Sequence, residues 1–159
     1  LLSHLKSINP DLIITTVHKI LEKPIVQTFN KKLINLHYSL LPSFSGLIGM
    51  KPVELAIKSG SKIIGVTAHF AEIQVDQGKH IAQINFSAKK YNAFSDEVKS
   101  LIFRCGCYCL LAAIYNQHSN NKIILNILGE KCVLQGCNLP PKYKEISEDL
   151  WTTIKHLAA

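Results

Sequence analysis

Short apolar segments alternate with segments of helical spacing over the first two thirds of the chain. The β-branched run at 12–17 is typical of a strand that is buried in a parallel sheet. Further strands are predicted at 32–36, 62–70 and 80–86, and short helices at 24–29 and 52–59. This alternation predicts an α/β fold of the doubly wound type with a mainly parallel sheet.

The last third of the chain predicts a long helix, a hairpin and a final helix. Two short strands at 122–128 and 132–134 flank Gly129, which is typical of a hairpin turn, and 145–157 has a helical pattern. The long helix at 96–115 has a predicted core face that consists of Val98, Leu101, Ile102, Cys105 and Cys109. We therefore expect one domain over 1–159, with a catalytic core at about 9–117 and a carboxyl-terminal hairpin and helix at about 120–157.

Charge changes this picture only slightly. The net charge is +7, but the lysines are scattered and Arg104 is the single arginine. Because arginine is the residue that most often reads bases and forks phosphates, specific nucleic-acid recognition is not expected. A diffuse positive field suits a small anionic substrate equally well. Length, charge and composition leave the oligomeric state open.

The five cysteines suggest a reducing, cytoplasmic environment rather than a metal site. Cys105, Cys107 and Cys109 follow one another at alternate positions inside the predicted long helix. At that spacing Cys105 and Cys109 share a face while Cys107 points away, whereas structural zinc needs four convergent ligands. No metal is expected, and no apolar run predicts a membrane span.

Candidate chemistry lies where the second predicted strand ends. Asn35 and His37 are two residues apart at the end of an apolar run, so their side chains share one face of the strand. The turn residues that follow place them at its carboxyl end, where α/β sheets bind ligands. The structural alternatives are an Asx turn with a satisfied histidine, a turn role for Asp76, and a buried His69 satisfied by the backbone, which we favour for that residue.

The longer string resembles the folate-dependent formyltransferase family, which includes phosphoribosylglycinamide formyltransferases and formyltetrahydrofolate hydrolases. The matching segments are Asn35-Leu36-His37-Tyr38-Ser39-Leu40-Leu41-Pro42 with Gly46, the strand that ends in His69-Phe70, and Asp76-Gln77-Gly78. The resemblance covers about 9–87 and implies a Rossmann-like formyltransferase domain. It also implies that the first strand–helix units of that domain, with their phosphate-binding loop, are absent from this chain.

The resemblance assigns roles to individual residues. Asn35, His37 and Asp76 fall on the catalytic positions of the family. An amide and an imidazole suit the oxyanion that forms when a nucleophile attacks a formyl carbon, and a carboxylate favours a charged histidine. The pterin of 10-formyltetrahydrofolate, the formyl donor, is expected to contact His18, Lys19, Ile20, Leu21, Val26, Asn35 and Val75.

The formyl acceptor is a separate question. Within the family we predict transfer to the amine of glycinamide ribonucleotide, in purine biosynthesis, partly from the Asn138-Leu139-Pro140-Pro141 segment. Alternatives are hydrolysis of formyltetrahydrofolate, because 62–70 closely resembles the hydrolase strand, and formylation of a sugar nucleotide. A further alternative is an inactive folate-binding or oligomerising module. The chain departs from the family pattern at two places. Lys19 stands in place of the usual arginine, and the segment Asp76-Gln77-Gly78-Lys79-His80 lacks the Gly-Pro dipeptide of the family.

Overall fold

A computed structural model describes residues 1–16, 19–115, 118–140, 143–144 and 146–157. Within these residues, six strands form one sheet in the order β1-β2-β3-β4-β6-β5. The strands are β1 (Ile13–Thr15), β2 (Leu33–His37), β3 (Ile63–Phe70), β4 (His80–Ser87), β5 (His118–Ile127) and β6 (Glu130–Cys137). The helices are α1 (Leu2–Ile8), α2 (Lys23–Thr28), α3 (Lys51–Lys58), α4 (Asp96–Tyr115) and α5 (Glu148–Leu157).

The α/β class is confirmed, but the prediction of a mainly parallel sheet is wrong. Among the described strands, β1 and β2 pair in parallel, and the other four neighbouring pairs are antiparallel. The loop 71–79 and the turn Leu128–Gly129 join consecutive strands directly, and neither is a crossover of the kind that parallel strands need. Helix α3 lies between β2 and β3 along the chain. Because β2 and β3 are antiparallel, the end of β2 and the start of β3 lie at the same edge of the sheet, and α3 is not a crossover either.

Helix α4 covers one face of the sheet and forms the main core. Its predicted core face is confirmed, because Val98, Leu101, Ile102, Cys105 and Cys109 are all buried. Gly106 brings this helix against Leu36 of β2: a Cβ atom at Gly106 would lie 2.9 Å from the Leu36 Cδ2 atom. By length and hydropathy α4 resembles a membrane span, but half of the apolar window is buried inside the protein, as in the core helix of a folded domain.

A second, smaller core lies on the opposite face and borders the candidate site. Ile25, Val26 and Phe29, from α2 and the residue after it, pack with Leu33 of β2. Since side chains alternate along a strand, Asn35 and His37 share the face of Leu33. The apolar cluster therefore ends where the polar site begins.

The carboxyl-terminal hairpin is confirmed and extends the same sheet. Strands β5 and β6 pair with each other, and β6 also pairs with β4. Cys105 of α4 and Cys132 of β6 are both buried, with their sulfur atoms 3.8 Å apart. Among the residues that the structure describes, no group of three or more His, Cys, Asp or Glu side chains is placed to hold a metal ion.

The close approach at Gly65 of β3 generates a prediction for stability. A Cβ atom there would lie 2.1 Å from the Ile84 carbonyl oxygen and 2.8 Å from the Leu40 Cδ2 atom. Because the first of these is backbone, Gly65→Ala should lower the free energy of unfolding by on the order of 3 kcal/mol. Urea denaturation measures the change.

Gly60→Ala is the control for this prediction. Gly60 has a φ of +72° but open space around the Cβ position, so the substitution should cost about 1–2 kcal/mol through backbone strain. A smaller loss of stability for Gly65→Ala than for Gly60→Ala would contradict the packing described here.

Candidate active site

A cavity of about 350 Å³ opens beside the carboxyl end of β2. Its walls come from the end of β1 and the residues that follow it, from the loop after β2, from the end of β3 and from the loop 71–79. Every predicted site residue that the structure describes lines this cavity. These residues are Lys19, Ile20, Leu21, Val26, Asn35, His37, Val75 and Asp76. His18 lies outside the described residues.

Strand geometry brings the polar residues together. His37 is the last residue of β2, and Asn35 lies two residues before it on the same face. In the antiparallel pair of β2 and β3, Asn35 lies directly opposite His69. The loop after β3 then carries Asp76 back toward His37, so that two histidines, an amide and a carboxylate meet in one place.

Asp76 is the centre of this group. Its Oδ2 atom accepts a hydrogen bond from the Gly46 backbone N–H at 2.8 Å and lies 3.4 Å from His37 Nδ1. Its Oδ1 atom lies 3.6 Å from His69 Nε2. Asp76 has a φ of +59° and is 8% exposed. The residue therefore does turn the chain, as turn chemistry predicts, but its carboxylate points inward.

His37 has an acceptor at each ring nitrogen. Its Nε2 atom lies 3.1 Å from the Phe44 carbonyl oxygen, which accepts a hydrogen bond, and its Nδ1 atom faces the Asp76 carboxylate. The site thus places the His37 imidazole between a backbone carbonyl and a carboxylate, and both side chains are buried.

His69 has the opposite arrangement. Its Nδ1 atom donates to the Phe70 carbonyl oxygen at 2.9 Å, and its Nε2 atom accepts from the Asn35 amide nitrogen at 3.2 Å. Burial lowers the pKa of His69, which keeps the ring neutral and able to accept at Nε2. The backbone bond agrees with the structural interpretation that we favoured from the sequence, but the contact with Asn35 adds His69 to the site.

The contact with His69 uses one of the two N–H groups of Asn35, and no partner for the other lies among the described residues, so that it can serve a ligand. The pairing of Asn35 with His69 depends on the register of two strands that are distant in sequence. The one signal for His69 in the sequence was the His-Phe pair at the end of a strand.

The cavity is apolar on one side and carries few charges. Leu21, Val26 and Val75 contribute aliphatic surface, and Ile20 is 80% exposed at the rim. Among the described lining residues Lys19 is the one lysine, and two carboxylates, Glu72 and Asp76, oppose it. The sequence did not single out Leu47 and Ile48, which extend the apolar wall, or Tyr38, whose pKa burial raises to about 12.

Comparison with known proteins assigns the family. Residues 1–103 of this chain match the family described as "Formyl transferase". The chain belongs to that family. Asn35, His37, His69 and Asp76 all lie within the matched residues, so the geometry described above belongs to the part of the chain that carries the family signal.

Three relatives show the range of proteins that this chain resembles. It is 43% identical over 75 residues to the formyltetrahydrofolate deformylase of Haemophilus influenzae, covering 46% of this chain and 26% of the relative. It is 33% identical over 96 residues to the methionyl-tRNA formyltransferase of Borreliella burgdorferi, covering 60% of this chain and 30% of the relative. The solved phosphoribosylglycinamide formyltransferase of Anaplasma phagocytophilum is 30% identical, with a TM-score of 0.59 over 71% of this chain and 56% of that one.

The chain therefore spans less than a third of the length of these two curated relatives. Proteins named deformylase, methionyl-tRNA formyltransferase and phosphoribosylglycinamide formyltransferase are thus all among its relatives, at 43%, 33% and 30% identity. Family membership thus supports formyl-transfer chemistry and leaves the acceptor to be argued from the site.

The neutral state of buried His69 predicts a pH dependence of stability. The pKa of His69 in the folded protein lies below its unfolded value of about 6.5. As the pH falls below about 6.5, the unfolded chain therefore binds a proton at His69 before the folded protein does. The stability is fully present above about pH 6.5 and decreases below it. His69→Gln removes this titration, and we expect a shallower loss of stability between pH 7 and pH 5 in urea unfolding.

His4→Gln on exposed α1 is the matched control and should leave the slope as it is in the unmodified protein. A His69→Gln variant whose stability changes with pH as steeply as that of the unmodified protein would show that the ring is not held neutral.

Proposed function

We propose that this chain removes the formyl group from 10-formyltetrahydrofolate, with water as the acceptor. The observation that carries the proposal is the convergence of Asn35, His37 and Asp76 in one cavity, with the carboxylate 3.4 Å from the imidazole. This combination supplies a hydrogen-bond donor, an imidazole for proton transfer and a carboxylate proton acceptor within one site.

The reaction needs each of these groups. Water attacks the formyl carbon, the carbonyl electrons move to oxygen, and the resulting oxyanion needs donors such as the remaining N–H of Asn35. The proton of the attacking water passes to the Asp76 carboxylate, and the C–N bond breaks as the departing nitrogen takes a proton from the His37–Asp76 pair. The products are formate and tetrahydrofolate.

The dimensions and lining of the cavity suit a folate. A volume of about 350 Å³ lies within the range of roughly 300–1,000 Å³ that is typical of small-molecule sites. Leu21, Val26 and Val75 offer apolar surface to a flat heterocycle, at about 25 cal/mol per Å² buried. Lys19 suits an anionic group of the ligand at the rim.

Two observations favour water as the acceptor. The relative with 43% identity is named formyltetrahydrofolate deformylase. In addition, the described part of the cavity lining carries one lysine and no arginine, which offers little positive charge to a phosphate dianion. Water needs no such charge complement.

Transfer to the amine of glycinamide ribonucleotide is the second candidate function. It is supported by the Anaplasma phosphoribosylglycinamide formyltransferase, which shares 30% identity at a TM-score of 0.59. In this case the same three residues serve the same steps, and the amine of the ribonucleotide replaces water. The two candidates differ only in the nucleophile.

The acceptor is measured by incubating the purified chain with 10-formyltetrahydrofolate and quantifying formate and tetrahydrofolate, with and without glycinamide ribonucleotide. We expect formate in the absence of any amine, and no formylated ribonucleotide when the amine is added. Asn35→Ala should lower formate release by about 10²–10³-fold through loss of an oxyanion donor.

His80→Gln is the control for that measurement, because His80 lines a separate cavity on β4. Its rate should match that of the unmodified protein. Turnover that requires the ribonucleotide would replace the hydrolase proposal with the transferase, and folate binding without any turnover would indicate a binding module and contradict both.

A further inference from the structure

The hydroxyl group of Thr67 lies in the middle of β3 and makes three hydrogen bonds. It donates to the Ser39 carbonyl oxygen at 2.7 Å, and it accepts from the Leu41 backbone N–H at 3.1 Å and from Gln83 Nε2 at 2.9 Å. One donor and two acceptor sites are the full capacity of a hydroxyl group. Thr67 is 0% exposed and is not part of the cavity lining.

Ser39 and Leu41 begin the loop that holds the two catalytic side chains. Five residues after Ser39, the Phe44 carbonyl oxygen accepts from His37 Nε2. Two residues later, the Gly46 N–H donates to Asp76 Oδ2. We define this segment, 39–46, as the clamp loop. The start of the clamp loop is hydrogen-bonded to Thr67. The end of the loop is hydrogen-bonded to His37 and Asp76.

The clamp loop has internal bonds that transmit this constraint. The Leu40 carbonyl oxygen accepts from the Ser43 N–H at 3.0 Å, and the Ser39 hydroxyl group donates to the Ser43 carbonyl oxygen. Phe44 and Gly46 both have positive φ values, +57° and +81°, so the loop curls tightly between its two anchored ends. A shift at Leu41 therefore moves Phe44 and Gly46.

The sheet supports Thr67 from the other side. Gln83 of β4 lies opposite Thr67, and its amide nitrogen also reaches the Leu41 carbonyl oxygen at 3.4 Å. Gln135 Nε2 of β6 donates to the side-chain Oε1 atom of Gln83 at 3.4 Å. A row of polar side chains thus crosses three strands beneath the clamp loop.

We propose that Thr67 is a positioning residue for formyl transfer, because it anchors the clamp loop and so sets the distance between His37 and Asp76. The proposal rests on the proposed function for its kinetic consequence, but its structural consequence stands independently. Thr67 lies opposite His37 in the register of β2 and β3 but does not line the cavity. Among the described residues its hydroxyl group bonds to Ser39, Leu41 and Gln83, so the proposed effect of the hydroxyl group passes through the backbone of 39–46.

Two substitutions at this position separate the hydroxyl group from the packing. Thr67→Val keeps the branched shape and removes the hydroxyl group, whereas Thr67→Ser keeps the hydroxyl group and removes a methyl group. Ile84→Val, in the buried centre of β4, is the control for a general loss of stability. Gln83→Met removes the bonds from β4 to Thr67 and to the Leu41 carbonyl oxygen, and it provides a second test if Thr67→Val does not fold.

The structural readout is amide hydrogen exchange followed by NMR, which requires no turnover. In Thr67→Val we expect the Leu41 and Gly46 amides to exchange at least about tenfold faster than in the unmodified protein. Amides in the centre of β4 should change no more than they do in Ile84→Val. In Thr67→Ser the Gly46 amide should exchange as slowly as in the unmodified protein. In Gln83→Met the Gly46 amide should exchange about threefold faster than in the unmodified protein.

The kinetic readout is the split between kcat and KM. Misplacement of a catalytic pair by an ångström lowers rates by about 10²-fold, so Thr67→Val should lower kcat by about ten- to a hundredfold, while KM for the formyl donor stays within about twofold. Thr67→Ser should restore kcat to within about threefold of the unmodified protein.

The two readouts distinguish failure of this proposal from failure of the proposed function. If the unmodified protein has no turnover but Gly46 exchanges faster in Thr67→Val and not in Thr67→Ser or Ile84→Val, the proposed function fails and the anchoring role stands. Unchanged Gly46 exchange in both Thr67→Val and Gln83→Met, or equal acceleration of every amide in the sheet, would overturn the proposal. A Thr67→Ser variant as impaired as Thr67→Val would also overturn it.

Discussion

The site depends on the position of one buried carboxylate. Asp76 accepts the Gly46 N–H and lies between His37 and His69, so that it joins the loop after β2, the end of β2, the end of β3 and the loop 71–79. A buried carboxylate is unfavourable unless it is paired and hydrogen-bonded, and here both conditions are met by groups from separate elements. The geometry of the site therefore exists only when those elements are assembled.

Antiparallel pairing of β2 with β3 is what makes this assembly possible. It places His69 opposite Asn35, so that a neutral imidazole holds the amide while the second imidazole faces Asp76. Burial keeps His69 neutral, whereas His37 lies between the Phe44 carbonyl oxygen and the Asp76 carboxylate. One end of the sheet in this way supplies both an oriented amide and an imidazole beside a carboxylate.

Local patterns in the sequence predicted the helices and strands to within a few residues, because periodicity and turn chemistry are local properties. The shared face of Asn35 and His37 was predictable for the same reason. Strand direction, the pairing of Asn35 with His69 and the inward carboxylate of Asp76 were not, because each depends on contacts between residues about 30 or more positions apart. The polar row through Thr67 and Gln83 likewise appears only when the register is known.

The central claim is that His37 and Asp76 act as one unit, and a double-mutant cycle on formyl-donor turnover tests it most directly. His37→Gln and Asp76→Asn keep side-chain size and remove charge, and each should lower kcat/KM by about 10²–10³-fold. If the two residues share one role, the double variant should be no slower than the slower single variant by more than about threefold. Fully additive losses of activation free energy in the double variant would show independent roles and contradict this account.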